Sequence, residues 1–70
     1  MTSQEYESLM IHAEDLIASM RSAHSLARDA DQVRAEHGQD SERALLMDGW
    51  VKSWYRSARK DLKVIKSIIG

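Results

Sequence analysis

The sequence predicts an all-α fold, an antiparallel two-helix hairpin with coiled-coil-like packing. Proline is absent, and residues that favour helices, such as Ala, Leu, Glu, Lys and Arg, are plentiful. A single glycine-containing turn signal lies near the middle of the chain, and on both sides of it apolar residues recur every three or four positions. With 70 residues and no cysteine, the chain forms one small domain that no disulfide can stabilise.

The first helix is predicted over about residues 3–37. Thr2 and Glu5 form a capping box, in which each side chain accepts a hydrogen bond from the other residue's free amide. Gly38 follows as a helix stop, because glycine readily takes the positive φ that ends many helices. An alternative with three helices would need a break near Ser22 or Ser25, where there is no glycine or proline to form the corner.

The second helix is predicted over about residues 41–69, after a turn at 38–40 and an N-cap at Asp40 or Ser41. A heptad seam runs along both predicted helices: Tyr6, Leu9, Ala13, Leu16, Met20, Ala23, Ala27 and Ala30, then Ala44, Met47, Val51, Trp54, Ala58, Leu62, Ile65 and Ile68. A second apolar row widens the seam: Met10, Ile17, Trp50, Tyr55 and Ile69. One hairpin cannot cover this width, so we expect a homo-oligomer or a bundle completed by a helical protein partner.

The predicted hairpin places opposite each other residues whose numbers add to about 78. In this register Trp54 faces Ala23 and Ala27, and both Trp50 and Trp54 point into the core. Gly49 faces alanines as well, which favours a close helix contact over a merely tolerated helix glycine.

The sequence carries no recognisable catalytic or metal-binding motif. His12, His24 and His37 project onto different faces of the first helix. His24 is expected at the edge of the apolar seam, and His12 is expected to form a surface pair with Asp15. We therefore expect no enzyme activity, no cofactor and no metal.

Charge divides the chain: residues 1–37 carry a net charge of −4 and residues 41–70 a net charge of +4. Six cations form a stripe about 21 Å long on the second helix: Lys52, Arg56, Arg59, Lys60, Lys63 and Lys66. The stripe is interpreted as a solvated face paired with the acidic helix, because no aromatic residue is interleaved for base stacking. A phosphate-binding ridge is the alternative, although the chain as a whole has a charge of −1.

Two families of small helical hairpins resemble this chain. The polar turn Gly38-Gln39-Asp40-Ser41 and the aliphatic ending Leu62, Val64, Ile65, Ile68 and Ile69 resemble the co-chaperones of type III secretion needle subunits. That resemblance implies pairing with a second chaperone to keep an aggregation-prone subunit soluble. The start Met1-Thr2 with Gln4-Glu5, and Tyr55-Arg56-Ser57, look similar to the plasmid RNA-binding four-helix-bundle regulator. In that family the first helix reads RNA, whereas here the first helix is acidic.

The predicted function is that of a non-catalytic protein-interaction module, most simply a small chaperone or assembly adaptor that buries a partner helix. The expected partner-binding residues are Leu9, Leu16, Met20, Trp50, Trp54, Leu62 and Ile65. The alternatives are a homodimeric nucleic-acid-binding regulator that uses the basic stripe and a phage-style inhibitor of a host protein. Without a signal peptide or a long apolar run, a cytoplasmic protein with no membrane partner is expected.

Overall fold

The computed structural model describes residues 1–70 and contains two α-helices that pack against each other along their length. Helix α1 spans Ser3–His37 and helix α2 spans Glu42–Ile69. The all-α helical hairpin predicted from the sequence is thereby confirmed. Helix α1 continues without a break through Ser22 and Ser25, so the three-helix alternative is wrong. The hairpin measures 52 × 14 × 13 Å, a rod rather than a sphere.

The start of α1 is fixed by the capping box. The backbone N–H of Glu5 donates to Thr2 Oγ1 and the backbone N–H of Thr2 donates to Glu5 Oε1, both at 3.1 Å. These two bonds satisfy amides that have no partner inside the helix.

The turn depends on Gly38, whose φ of +93° is a conformation that residues with a Cβ rarely adopt. Its N–H donates to the carbonyl of Arg34 at 2.8 Å, which closes the end of α1. Ser41 then caps α2 by accepting a hydrogen bond from the N–H of Ala44 at 3.5 Å.

The contact between the helices is narrow and is built mainly from small side chains. Only seven of the 70 residues are buried: Ser19, Ala23, Ala30, Ala44, Met47, Ala58 and Asp61. No large side chain is fully buried. Alanines allow two helix backbones to approach closely, but they remove little apolar area from water. Most of the large apolar side chains therefore lie on the outside of the hairpin.

The seam of α1 differs from the predicted one by a rotation about the helix axis. Leu9, Leu16, Ala23 and Ala30 do face α2, but Tyr6 and Met20 are 58% and 46% exposed. The positions that alternate with the four seam residues are His12, Ser19, Leu26 and Val33, which are buried or half-buried. Because two of these four residues are polar, the hydrophobic pattern indicated a neighbouring row instead.

Two side-chain pairs across the interface define the register. His12 pairs with Asp61, and Arg34 pairs with Asp48. The two residue numbers of the first pair add to less than the predicted value of about 78, and those of the second pair add to more. The predicted antiparallel register therefore lies between the two pairs.

The placement of the tryptophans and of Gly49 was predicted wrongly. Trp50 and Trp54 are 54% and 40% exposed rather than in the core. Trp54 lies on one flank of the hairpin, where it lines a shallow groove with Ser22, Ser25 and Leu26. A Cβ built on Gly49 would meet no atom within 4 Å, so no close helix contact requires this glycine.

Candidate helix-binding surface

A shallow groove opens along the flank of the hairpin opposite to Trp54. We call it the apolar groove; it is lined by Leu16, Met20, Tyr55, Ala58, Arg59 and Leu62. Leu16 and Met20 lie one turn apart on α1, and Tyr55, Arg59 and Leu62 follow each other at the same spacing on α2. The antiparallel packing of the helices brings these two rows side by side.

The walls of the apolar groove remain open to solvent. Met20 is 46% exposed, and Tyr55 and Leu62 are 40% and 39% exposed. Helical spacing extends the same flank toward the open end of the hairpin through Met10, Ile17 and Ile69, which are 44%, 53% and 66% exposed. A large, continuous apolar surface on a soluble chain typically marks a site of protein interaction.

Charges of opposite sign border the two sides of this apolar surface. On α2, Lys52 and Lys66 flank Arg59 at heptad spacing, so the side next to Tyr55 and Leu62 is basic. On α1, the exposed Glu7 and Glu14 lie one turn on either side of Met10, and the exposed Arg21 continues their row one turn after Ile17, so that side is acidic only toward the open end of the hairpin. Toward the open end, a ligand of the groove would therefore meet an anionic edge and a cationic edge.

The structure divides the expected partner-binding residues into three places. Met20 and Leu62 line the apolar groove, and the half-buried Leu16 forms its wall. Leu9 and Ile65 are half-buried between the helices, where they serve the hairpin itself. The remaining two residues, Trp50 and Trp54, are exposed away from the groove.

Two groove residues were absent from the expected set. Tyr55 was assigned to the second apolar row and Arg59 to the basic stripe. The missing information was the rotation of α1, which places Met20 on the flank beside Tyr55 and not in the seam between the helices.

The six cations of the basic stripe are all exposed, and none forms an ion pair with an acidic group of α1. The expected pairing between the stripe and the acidic helix is therefore wrong. Lys52, Arg56 and Arg59 instead line a second groove together with Tyr55. The expectation that no aromatic residue joins the stripe is also wrong, because Tyr55 lies between these cations.

The cross-helix ion pair near the turn is held by Arg34. Its guanidinium donates to a carboxylate oxygen of Asp48, and a second nitrogen lies 3.3 Å from Asp31. The hydrogen bond to Asp48 is the main reason why the pKa of Arg34 is raised above its usual value. Arg34 therefore stays charged throughout the pH range in which the fold can be studied.

The histidines occupy different environments from those expected. His24 is exposed rather than at the seam. His12 does not form a simple surface pair with Asp15, because its Nδ1 lies 2.8 Å from Oδ1 of Asp61 on the other helix. A ligand atom from each of His12, Asp15 and Asp61 lies within 4.8 Å of the other two.

No protein-family model matches the chain, and no curated protein or solved structure shows significant similarity to it. Neither α1 nor α2 is both long enough and apolar enough to cross a lipid bilayer.

Proposed function

We propose that this chain is a non-catalytic protein-interaction module that binds an amphipathic helix of a partner protein across the apolar groove. Its most economical role is that of a small cytoplasmic chaperone or assembly adaptor. Such a role requires an apolar surface that stays exposed until the partner arrives, together with a scaffold stable enough to present it.

The observation that carries this proposal is the unusually large accessible surface. The hairpin exposes 5540 Å², whereas a compact monomer of its mass would expose about 4,500 Å². The excess of about 1,000 Å² is close to the area of about 800 Å² that one partner contributes to a standard protein interface. Docking of a helix would cover Met20, Tyr55 and Leu62, which the hairpin itself leaves open.

The chemistry of the groove specifies the helix that would fit. Apolar residues of the partner at positions i, i+3 or i+4, and i+7 would enter between Met20 and Leu62. Acidic residues along one edge of that helix would face Arg59 and Lys66, and basic residues along the other edge would face Glu14. Apolar burial would provide affinity, while the two charged borders would select the orientation.

The chaperone role is also supported by the resemblance to the needle-subunit co-chaperones, whose clients are aggregation-prone helical proteins. An inhibitor that masks a host protein would use the same groove and remains an alternative. The identity of the bound protein distinguishes the two: a chaperone client should aggregate when the hairpin is removed, whereas a host enzyme should regain activity.

The proposal is tested by placing charge either inside or outside the apolar groove. The double variant Met20→Asp with Leu62→Asp places charge in the apolar groove, and Ile11→Asp places charge on a residue that is 58% exposed outside it. Each tagged chain is used to capture partners from the native host, and the captured protein is then purified and titrated with each variant. We expect a one-to-one complex with the wild type and with Ile11→Asp, and at least a tenfold loss of affinity for the double variant. Equal binding by all three chains would exclude the groove.

A second candidate function, binding of nucleic acid, is favoured by one specific observation. Tyr55 lies among Lys52, Arg56 and Arg59, and an aromatic residue between cations can stack on a base while the cations contact phosphates. Electrophoretic mobility at about 50 mM salt tests this function. Retention of RNA or DNA that is lost in the double variant Lys60→Glu with Lys63→Glu would favour the regulator over the chaperone.

A further inference from the structure

A second cluster of polar side chains joins the two helices far from the turn. His12 and Asp15 lie one turn apart on α1, and Asp61 faces them from α2. His12 is 26 residues from the glycine of the turn, which corresponds to about 39 Å along the helix. We propose that His12, Asp15 and Asp61 bind a divalent first-row transition metal ion such as Zn²⁺, which links α1 to α2 at the open end of the hairpin.

The donor set suits such an ion. One imidazole nitrogen and two carboxylate oxygens are ligands that Zn²⁺ accepts at about 2.0–2.2 Å, and three protein ligands with a water in the fourth position form a common zinc geometry. In a tetrahedral site two ligand atoms lie about 3.4 Å apart. The three donor atoms already lie within 4.8 Å of one another. His12 Nδ1 and Asp61 Oδ1, which lie 2.8 Å apart, would exchange their hydrogen bond for bonds to the metal and separate slightly. Rotation of the exposed Asp15 side chain, which forms no hydrogen bond or ion pair, would bring in the third ligand.

The environment of Asp61 gives an independent reason for a cation at this place. Its side chain is only 12% exposed, and its one hydrogen-bonding partner is His12. A carboxylate has about four lone-pair sites and the imidazole uses only one of them, so Asp61 keeps lone pairs that could ligate a cation. None of the lysines and arginines of α2 forms an ion pair with it. A divalent cation could therefore take up Asp61 as a ligand together with His12.

Binding would affect the hairpin beyond the cluster itself. The turn connects the helices at one end only, and the fold has no disulfide that could join the other end. Leu16 and Leu62 directly follow Asp15 and Asp61 in the sequence and line the apolar groove. A metal ion at the cluster would therefore hold the two walls of the groove at a fixed separation.

Thermal unfolding of the metal-stripped chain, followed by circular dichroism with and without about 100 μM Zn²⁺, tests the proposal. We expect the melting temperature to rise by about 5 °C or more, as for any ligand that binds the folded state alone. In the NMR spectrum, one equivalent of Zn²⁺ should shift the imidazole signals of His12 before those of His24 and His37.

Matched variants separate the proposed site from adventitious binding. Asp15→Asn removes one ligand but leaves the pair between His12 and Asp61 intact. Asp29→Asn is the control: it makes the same change at the same heptad position, two heptads further along α1, on a residue that is also exposed. We expect the zinc-dependent shift to persist in Asp29→Asn and the affinity to fall at least tenfold in Asp15→Asn. The absence of a shift in the wild type, or an equal shift in both variants, would overturn the proposal. Loss of the partner complex leaves this result unaffected, because the measurement uses the hairpin alone.

Discussion

Two residues of α2, Gly49 and Trp54, lie on the open side of the helix, although the predicted register placed both in the helix contact opposite alanines of α1. Gly49 illustrates the point: it lies inside α2, where a glycine costs about 1 kcal/mol relative to alanine. A new Cβ would meet nothing within 4 Å. We therefore expect Gly49→Ala to stabilise the fold by about 0.5–1 kcal/mol. Urea denaturation measures the change, and Gly38→Ala is the control, since a φ of +93° should make that substitution destabilising. A loss of stability in Gly49→Ala would show that a partner surface requires the glycine.

Trp54 presents the opposite case, a large side chain whose loss should be tolerated. An enclosed tryptophan would cost about 3–5 kcal/mol on truncation, because a cavity remains. Trp54 is 40% exposed on an open groove, so Trp54→Ala removes apolar contact without leaving an enclosed void. We expect a cost of about 1–2 kcal/mol. Chemical denaturation of this variant beside Trp50→Ala, whose side chain is 54% exposed, should give the smaller cost for Trp50. A cost of about 3–5 kcal/mol for Trp54→Ala would mean that Trp54 is buried in solution.

At the scale of the helices, local signals in the sequence were sufficient for the fold but not for the rotation of α1. Thr2, Glu5 and Gly38 fix the ends of α1 through interactions within a few residues, which a sequence displays directly. Which side of α1 faces α2 depends on the partner helix. His12 is acceptable in the interface only because Asp61 lies opposite. No pattern within one helix can reveal such compensation across the hairpin.

The close approach of the helices makes a prediction about their smallest interface residues. Ala23 is completely buried in the contact between the helices. Ala23→Leu should force the helices apart and cost about 1–3 kcal/mol, as overpacking commonly does. Ala18→Leu is the matched control, because this alanine is exposed on α1 and leucine is an equally good helix former there. Thermal unfolding of both variants decides, and an unchanged melting temperature in Ala23→Leu would mean that the interface is looser than the structure indicates.

At the scale of the whole molecule, the sequence predicted that apolar surface would remain uncovered but not where it would lie. The apolar rows are too wide for one hairpin to cover, which a count of side chains in the sequence shows. The exposure of Met10, Ile17 and Ile69 agrees with that expectation. The apolar groove itself depends on Met20 and Leu62 being brought side by side from the two helices. The metal cluster likewise combines residues that are 49 positions apart in the pair His12 and Asp61. Sites of this kind become visible only when the rotation of both helices is known.

The uncovered surface also predicts self-association when the chain is purified without a partner. Two copies can face each other through the apolar groove about an axis parallel to the helices, which places α1 of each copy against α2 of the other. In this arrangement Glu7 and Glu14 meet the basic border with Arg59 and Lys66, although Arg21 in the same row meets that border as a like charge. Charge at the open end therefore favours this arrangement over the one that sets α1 against α1. The excess surface of about 1,000 Å² per chain is enough for a standard interface.

Light scattering over a concentration series, with the metal removed, measures this association. We expect the mass to rise from 8.0 kDa toward twice that value at high micromolar concentration, and the dimer to weaken in salt as its border charges are screened. Leu62→Glu should abolish the dimer, because it would bury a charge in the groove. Leu46→Glu is the control and should leave the dimer intact, because Leu46 lies outside the groove. Leu46 is 61% exposed and Leu62 is 39% exposed, so exposure alone does not explain the expected difference. A wild-type chain that stays at 8.0 kDa while melting cooperatively would show that the hairpin is sufficient by itself. Loss of the dimer in Leu46→Glu alone would instead locate the contact on the flank that carries the tryptophans.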